Sequence, residues 1–239
     1  MNCVLEDGSI FVKIIDGIKD LCPEGNLDFT QHGMQMQVMD AAHVSLCSLT
    51  LRTNMFKKYA CPESMSLGVN FKTLAMMLKN SSGELVMKSD GDKLHIKVQK
   101  LSGVAEYTMN LMDIDCEHLG VPDTSYAAIC TLPSSTFGKV MRDLSDFSDT
   151  CSLHIGDTLT VTVNGELGKV VWKGEDCKCS VRDPVDPLDF GLRYMSLFSK
   201  CAVSSQVVLC MSPDMPICLT FPIEEHGHMR FYLAPKTMD

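Results

Sequence analysis

The sequence has no long apolar run: nowhere in its 239 residues is there a stretch near the ~18 uncharged apolar residues that a membrane span needs. Residues 1–7 also lack the basic and apolar regions of a secretory leader. We therefore expect a protein that neither crosses a membrane nor is secreted. Positive charge is scarce too, with 21 basic against 30 acidic side chains and a formal net charge of -9. That total by itself disfavours a nucleic-acid partner, but it ignores how the charge is distributed.

The 12 cysteines do not form a recognisable framework. They are scattered singly through apolar runs, as at Cys47 and Cys210, and without a leader this pattern favours reduced, buried thiols in a cytosolic or nuclear protein. The one close pair, Cys177 and Cys179, lacks the two-residue spacer of a zinc or redox motif. We expect no catalytic, cofactor or metal site.

The strongest pattern present is an internal repeat. Residues 9–21 carry apolar side chains at the i, i+3, i+4, i+7 spacing of an amphipathic helix, and residues 135–147 repeat that spacing at an offset of 126. Four positions are also identical between the two stretches. The apolar positions are Phe11, Ile14, Ile15, Ile18 and Leu21, then Phe137, Val140, Met141, Leu144 and Phe147.

Each half also contains a second helical stripe, at 71–80 after a possible Asn70 cap and at 190–200 after Asp186-Pro187. Period-two alternation predicts antiparallel strands, with an Asp90-Gly91 hairpin between two of them. The pattern indicates an α+β protein of two similar domains, 1–110 and 128–239, each with antiparallel sheets and two helices, joined by an acidic linker at 111–127. The predicted strands are 34–38, 85–87, 94–98, 105–109, 159–163, 217–221 and 229–233.

The charge is unevenly distributed. The four predicted helices hold eight basic and four acidic side chains, a net of +4, which leaves -13 for the rest of the chain and so accounts for the total of -9. Lys72 and Lys79 are seven residues apart, as are Arg193 and Lys200, so each pair shares the face opposite an apolar stripe. Lys and Arg also decorate ordinary solvated helices. Without interleaved aromatic residues, these faces favour duplex backbone over single strands.

Five segments carry a family resemblance: 39–46 (MDAAHVSL), 111–115 (LMDID), 165–168 (GELG), 192–194 (LRY) and 231–236 (FYLAPK). In this order they resemble the proliferating cell nuclear antigen family, the eukaryotic DNA sliding clamps. The resemblance implies the DNA clamp fold, assembled as a homotrimeric ring whose helices line a hole around duplex DNA. It also implies a nuclear, non-enzymatic processivity factor for DNA replication and a docking platform for DNA repair proteins.

The resemblance implies a set of DNA-facing side chains, to which Lys72 is added from its position. Met76 and Asp146 stand where the family commonly has basic residues. The family's modification lysine also has no counterpart, since residues 154–157 read His-Ile-Gly-Asp, and the acidic loop before the fourth helix is shortened to 175–179. The DNA-facing set is Lys13, Lys19, Lys72, Lys79, Lys139, Arg142, Arg193 and Lys200.

The resemblance further implies a pocket beneath the linker for a short helical turn with one aliphatic and two aromatic anchors, carried by DNA polymerases, clamp loader, nuclease and ligase. Subunits would join head to tail by sheet augmentation between Tyr107 on one chain and Lys169, Val170, Val171 and Trp172 on the next. The pocket residues are Met39, His43, Val44, Leu46, Leu119, Val121, Pro122, Tyr126, Pro216, Tyr232, Ala234 and Pro235.

Two other hypotheses remain open from the sequence. One is a subunit of a related checkpoint-type heterotrimeric clamp, which would share the fold without forming a homotrimer. The other is a thiol or metal enzyme that uses Cys177, Cys179, His226 and His228, although histidines in a predicted hairpin turn are more often plain surface residues.

Overall fold

Four α-helices and eighteen β-strands form the part of the chain that the computed structural model describes, residues 1–115, 119–120, 125–166, 168–201 and 203–236. Two 3-10 turns, Thr53–Met55 and Glu224–His226, complete the regular structure of these residues. Among them no helix combines the length and apolar character needed to cross a membrane. The helices are α1 Ser9–Ile18, α2 Phe71–Leu78, α3 Ser134–Ser145 and α4 Leu192–Ser199.

The chain divides into two compact units. Unit 1 comprises Met1–Ala41, Cys47–His118 and Ile223–Met229. Unit 2 comprises Ala42–Leu46, Leu119–Pro222 and Arg230–Asp239. Each unit therefore includes a short segment from the other half of the sequence.

The strands of the first half of the chain form two antiparallel arrays, in the spatial orders β5-β1-β7-β8-β9 and β4-β3-β2-β6. In the first array, β1 pairs with both β5 and β7, although β7 follows it by about 80 residues. The strands are β1 Asn2–Leu5, β2 Glu24–Thr30, β3 Gly33–Met39, β4 Ser45–Arg52, β5 Lys58–Ala60, β6 Met65–Asn70, β7 Ser81–Ser89, β8 Lys93–Lys100 and β9 Gly103–Asn110.

The second half repeats this topology, in the orders β14-β10-β16-β17-β18 and β13-β12-β11-β15. Every position holds the strand nine places later than in the first half, so the repeat extends from the helices to the whole strand order. The prediction of an α+β protein with two similar domains is thereby confirmed. The strands are β10 Ala128–Pro133, β11 Thr150–Ile155, β12 Leu159–Gly165, β13 Gly168–Lys173, β14 Lys178–Val181, β15 Leu188–Gly191, β16 Gln206–Met211, β17 Ile217–Ile223 and β18 Gly227–Leu233.

Local side-chain hydrogen bonds fix where two of the helices begin. The Asn70 side chain accepts a hydrogen bond from the Thr73 N–H at 3.0 Å, so the predicted cap of α2 is confirmed. Ahead of α1, the carboxylate of Asp7 accepts hydrogen bonds from the N–H and the hydroxyl of Ser9, each at 2.8 Å. These bonds satisfy polar groups that the first helical turn would otherwise leave unpaired.

The core of each unit lies between helices and sheet. Along β8, Leu94, Ile96 and Val98 are buried while the residues between them face outward, as a half-buried strand requires. In unit 2, the rings of Phe198 and Phe231 stack at 4.6 Å, which joins α4 to β18. A helix and a sheet therefore cover each other's apolar sides.

The predicted strands and the Asp90-Gly91 hairpin are confirmed, but three helix predictions need correction. The first helix ends at Ile18, so Leu21 lies beyond it and does not belong to its stripe. The fourth helix begins at Leu192 and not after Asp186-Pro187, because Phe190 belongs to β15, where it pairs with Cys151. Phe147 does not complete the stripe of the third helix, because α3 ends at Ser145 and leaves this side chain 50% exposed.

Candidate functional site

The outward sides of the four helices carry the predicted DNA-facing cations. Each helix buries its apolar stripe, so side chains on the opposite side reach solvent. Lys19 alone is half-buried, and its ammonium lies 2.5 Å from the carboxylate of Asp16, which offsets its charge. The exposed cations are Lys13, Lys72, Lys79, Lys139, Arg142, Arg193 and Lys200.

Three of these cations occupy the residue that follows a helix end: Lys19 after α1, Lys79 after α2 and Lys200 after α4. Positive charge there interacts favourably with the helix dipole. The corresponding residue of α3 is Asp146, whose charge has the opposite sign. These lysines therefore stabilise the ends of their own helices, whether or not they also bind a ligand.

A groove of about 430 Å³ between α3 and α4 brings two of the predicted cations together, Arg142 and Lys200. The Arg142 side chain is partly held by its Nε, which donates to the carbonyl of Gly138 at 3.2 Å. Serines form much of the remaining lining, which sequence reasoning missed; the only signal was the two Ser-Ser dipeptides, one at the start of α3 and one in the loop after α4. The lining serines are Ser134, Ser135, Ser199, Ser204 and Ser205.

The outward side of α2 combines cations with an apolar residue. Lys72, Met76 and Lys79 follow the i, i+4, i+7 spacing of one helix side, and all three are exposed. The thioether side chain of Met76 is 67% exposed, so it contributes little to the core. The centre of this row therefore lacks the charge that its neighbours have.

The C-terminal segment of unit 2 is held in place by its backbone. The N–H of Ala234 donates to the carbonyl of Val44 at 3.0 Å, and the N–H of Lys236 donates to the carbonyl of Asp189 at 2.7 Å. Pro235 lies between these two anchor points. The backbone of residues 234–236, directly after β18, is therefore held at both ends.

Tyr232 is half-buried on the outward side of β18. Burial is the main reason that the pKa of its hydroxyl rises to about 12, and nearby Cys218 adds to the effect while Arg230 opposes it. The hydroxyl thus stays protonated at neutral pH and can donate a hydrogen bond.

The other predicted pocket residues of unit 2 are mainly accessible. His43 is exposed and adopts a positive φ of 58°, a backbone conformation that costs free energy outside glycine. Leu119 is 45% exposed although it is a large apolar residue. Val44 and Pro216 are exposed as well, while Leu46, Tyr126 and Pro235 are half-buried and Ala234 is exposed.

Three of the predicted pocket residues do not lie among the described residues of unit 2. Met39 belongs to unit 1, where it ends β3 and its carbonyl accepts a hydrogen bond from the thiol of Cys22 at 3.3 Å. Val121 and Pro122 lie outside the described residues.

The residues predicted to join subunits lie on terminal strands. Tyr107 belongs to β9, the last strand of its array in unit 1, and the Lys100 ammonium lies over its ring and donates to its hydroxyl at 2.7 Å. Lys169, Val170, Val171 and Trp172 belong to β13, a terminal strand of its array in unit 2, with Val171 48% exposed. Terminal strands present backbone groups to which another strand can pair.

Of the two thiols considered for catalysis, Cys179 lies in a strand and faces another cysteine. Cys130 and Cys179 lie directly opposite each other on β10 and β14, and burial is the largest cause of the raised pKa of both thiols. A raised pKa disfavours the thiolate form that acts as nucleophile or metal ligand. Across the described part of the chain, no group of three or more His, Cys, Asp or Glu side chains is arranged to hold a metal ion.

Comparison with known proteins covers nearly the whole chain. Residues 1–118 match the family model for the N-terminal domain of proliferating cell nuclear antigen, and residues 120–236 match the model for its C-terminal domain. The proliferating cell nuclear antigen of Caenorhabditis elegans is 35% identical, over 98% of this chain and 96% of the relative.

Proposed function

The chain belongs to the proliferating cell nuclear antigen family, the DNA sliding clamps, and we propose that three copies of it close into a ring around duplex DNA in the nucleus. The family is that of a non-enzymatic scaffold. The observation that carries the proposal is the exposure of seven basic side chains on the helices of an otherwise acidic chain. The checkpoint-type heterotrimeric clamp is not favoured, since both matching family models are those of proliferating cell nuclear antigen.

Ring closure uses the terminal strands. We infer that β9 of one chain, with Tyr107, pairs with β13 of the next chain, at residues 169–172. Because the two strands are different, the contact is head to tail, and a head-to-tail contact can close into a ring. The exposed Val171 would bury apolar surface there, in addition to the backbone hydrogen bonds.

The dimensions of such a ring suit duplex DNA. Twelve helices packed at about 9 Å spacing give a circumference of about 110 Å, hence a hole roughly 35 Å between helix axes. Groove depths of about 8 Å on either side of its centre imply a duplex about 20 Å across, which leaves room for a layer of water. Contacts to phosphate alone would hold the ring on DNA without reading its sequence.

Arg142 and Lys200 are the strongest candidates for phosphate contact. Their groove is lined by serines, of which the exposed Ser135 and Ser205 can donate hydrogen bonds to phosphate oxygens alongside the two cations. A negative exterior would meanwhile repel DNA from the outside of the ring.

We further propose that the outward surface around Tyr232 docks replication and repair proteins, among them DNA polymerases, the clamp loader, a nuclease and a ligase. The support is the exposure of two large apolar side chains in unit 2, Leu119 and Val44, and the bond that joins the carbonyl of Val44 to the anchored segment at 234–236. A short helical turn with aliphatic and aromatic anchors fits a surface of that chemistry.

Two measurements test the ring. Native mass spectrometry should give a mass near three chains; a stable monomer at micromolar concentration contradicts the homotrimer. Loaded on DNA, the protein should remain on closed circles and slide off linear duplex. Replacing Arg142, Arg193 and Lys200 with Gln should weaken retention on circles, with Lys178→Gln as a control outside the helices. Equal retention on circular and linear DNA rules out encirclement.

The docking surface has its own test. Tyr232→Ala should abolish binding of a fluorescent peptide that carries one aliphatic and two aromatic anchors, while the native mass stays unchanged. Tyr232→Phe is the matched control. It keeps the aromatic ring of the side chain and removes only the hydroxyl, so it separates packing from hydrogen bonding. Peptide affinity that survives Tyr232→Ala excludes this surface.

A further inference from the structure

The outward side of the five-stranded array in unit 1 has a chemistry unlike the rest of the acidic surface. On β8, Lys93, His95 and Lys97 alternate with buried Leu94 and Ile96, so all three polar side chains leave the same side of the sheet. Successive residues on one side of a strand are about 7 Å apart. The strand therefore presents a row of nitrogen-bearing side chains with a regular spacing.

Neighbouring strands extend this row. The strand register sets Lys88 of β7 opposite His95, and Lys58 of β5 opposite Val4 of β1, on the same side of the array. We call Lys58, Lys88, Lys93, His95 and Lys97 the basic face.

Three carboxylates lie near the basic face. Glu106 of β9 pairs with Lys97 at 3.0 Å, and Glu84 of β7 pairs with Lys57 at 3.2 Å. Asp90 lies near His95, although hydrogen bonds from the backbone N–H groups of Asp92 and Lys93 are the main cause of its lowered pKa. Among the described residues, Lys58, Lys88 and Lys93 have no ion-pair partner. Since the chain carries a net charge of -9, a cluster of unpaired lysines on one side of a sheet is a local reversal of sign.

The repeat gives this surface a counterpart. The equivalent array of unit 2, β14-β10-β16-β17-β18, carries Tyr232 on its outward side, the surface proposed above for partner peptides. There, the outward residues of β16 and β17, such as Val208 and Thr220, are uncharged. Their counterparts in unit 1, β7 and β8, carry Lys88, Lys93 and Lys97. The duplicated fold thus offers the same kind of outward sheet surface twice, with different chemistry.

A shallow recess of about 270 Å³ lies within the basic face. Its lining combines the aliphatic side chain of Val86 with Lys88, with the Lys97–Glu106 ion pair, and with a hydrogen-bonding pair in which His95 Nδ1 and Thr108 Oγ1 are 3.1 Å apart. Apolar and hydrogen-bonding groups beside cations suit peptide side chains. A duplex about 20 Å wide is too large to enter such a recess.

We propose that the basic face is a second docking surface, which binds an extended acidic segment of a partner protein. A segment lying along β8 with Asp or Glu at alternate positions sets carboxylates near Lys93 and Lys97, with His95 between them as a hydrogen-bonding group, because both strands share the 7 Å repeat. Charge complementarity of this kind favours acidic partners at the basic face, whereas the rest of the acidic surface repels them. The proposal does not depend on trimer formation or on partner docking at the Tyr232 surface.

Fluorescence anisotropy with a labelled peptide of five Glu-Ser repeats tests it, with five Gln-Ser repeats as the uncharged probe. The Glu-Ser peptide is expected to bind at 50 mM salt and to weaken at 200 mM, because exposed charges are screened. Lys88→Gln/Lys93→Gln is expected to weaken binding about tenfold. The matched double variant Lys173→Gln/Lys178→Gln, which removes two exposed lysines of unit 2, is expected to change it less than about twofold.

Three results overturn the proposal: no binding of the Glu-Ser peptide at 50 mM salt, equal losses in the two double variants, or equal binding of the Gln-Ser peptide. A short linear duplex serves as competitor. If it displaces the peptide from the wild type, and Lys88→Gln/Lys93→Gln loses duplex binding in parallel, the basic face belongs to DNA. Native mass of the variants separates this outcome from loss of the ring.

Discussion

Met76 offers the sharpest test of the proposal that the helices face DNA. It lies between Lys72 and Lys79 on the outward side of α2 and is 67% exposed. Met76→Lys should therefore add a cation to that row without opening a cavity, and Lys and Met have similar helix propensities. In a homotrimer the substitution adds three charges to the lining of the hole.

The magnitude follows from counterion release. Each new contact with phosphate steepens the slope of log K against log salt by about 0.9, so three contacts steepen it by about 2.7. Over a fourfold rise in salt, from 50 to 200 mM, the variant should lose about 40-fold more affinity than the wild type loses. At 50 mM salt its binding to DNA should be the tighter of the two.

The assay is anisotropy of a labelled duplex titrated with protein at four or five salt concentrations. Met76→Gln is the matched control, because it is polar and uncharged and should leave the slope unchanged. A slope for Met76→Lys equal to that of the wild type would mean that this side of α2 does not face the phosphates, and the proposed lining would then be wrong.

Three further outcomes are expected. Asn70→Ala removes the acceptor for the Thr73 N–H and should lower the free energy of unfolding by about 1 kcal/mol in urea titrations. Hydrogen bonds from Ser9 lower the pKa of Asp7. The carboxylate therefore contributes its full stabilisation above the ordinary Asp pKa of about 4, and this contribution is lost as the pH falls through the lowered pKa. Asp7→Asn should be less stable than the wild type at neutral pH, and the difference should vanish in acid. Alkylation followed by mass spectrometry should modify the partly exposed Cys177 before Cys201, where burial raises the thiol pKa to about 12.

The sequence was most informative where local chemistry decides structure. Asn70 is the cap that its position predicted, and the apolar spacing from Phe11 to Ile18 marks the buried side of α1. The fourth helix was misjudged because Phe190 lies in phase with its apolar stripe. Pairing of β15 with β11 holds that residue in a strand, and this tertiary contact outweighs the local periodicity.

The strand order could not be read from the sequence. β1 and β7 pair across a long stretch of chain, and no local pattern specifies that choice. The groove at Arg142 and Lys200 was hidden for the same reason, since its serines come from two helices and a loop that only the fold brings together. The sequence shows that β8 is rich in basic residues. That they share one side of the sheet with Lys88 of β7 became evident only from the register of β8 with β7 and β9.

The anchored C-terminal segment has a consequence for the docking proposed at the Tyr232 surface. Hydrogen bonds at Ala234 and Lys236 hold both ends of a three-residue stretch, and the ring of Pro235 restricts the backbone between them. Residues 234–236 have therefore already lost conformational entropy before a partner binds. The entropy penalty of association then falls mainly on the incoming peptide, so a peptide held in its helical turn in advance should bind more tightly than a flexible one with identical contacts.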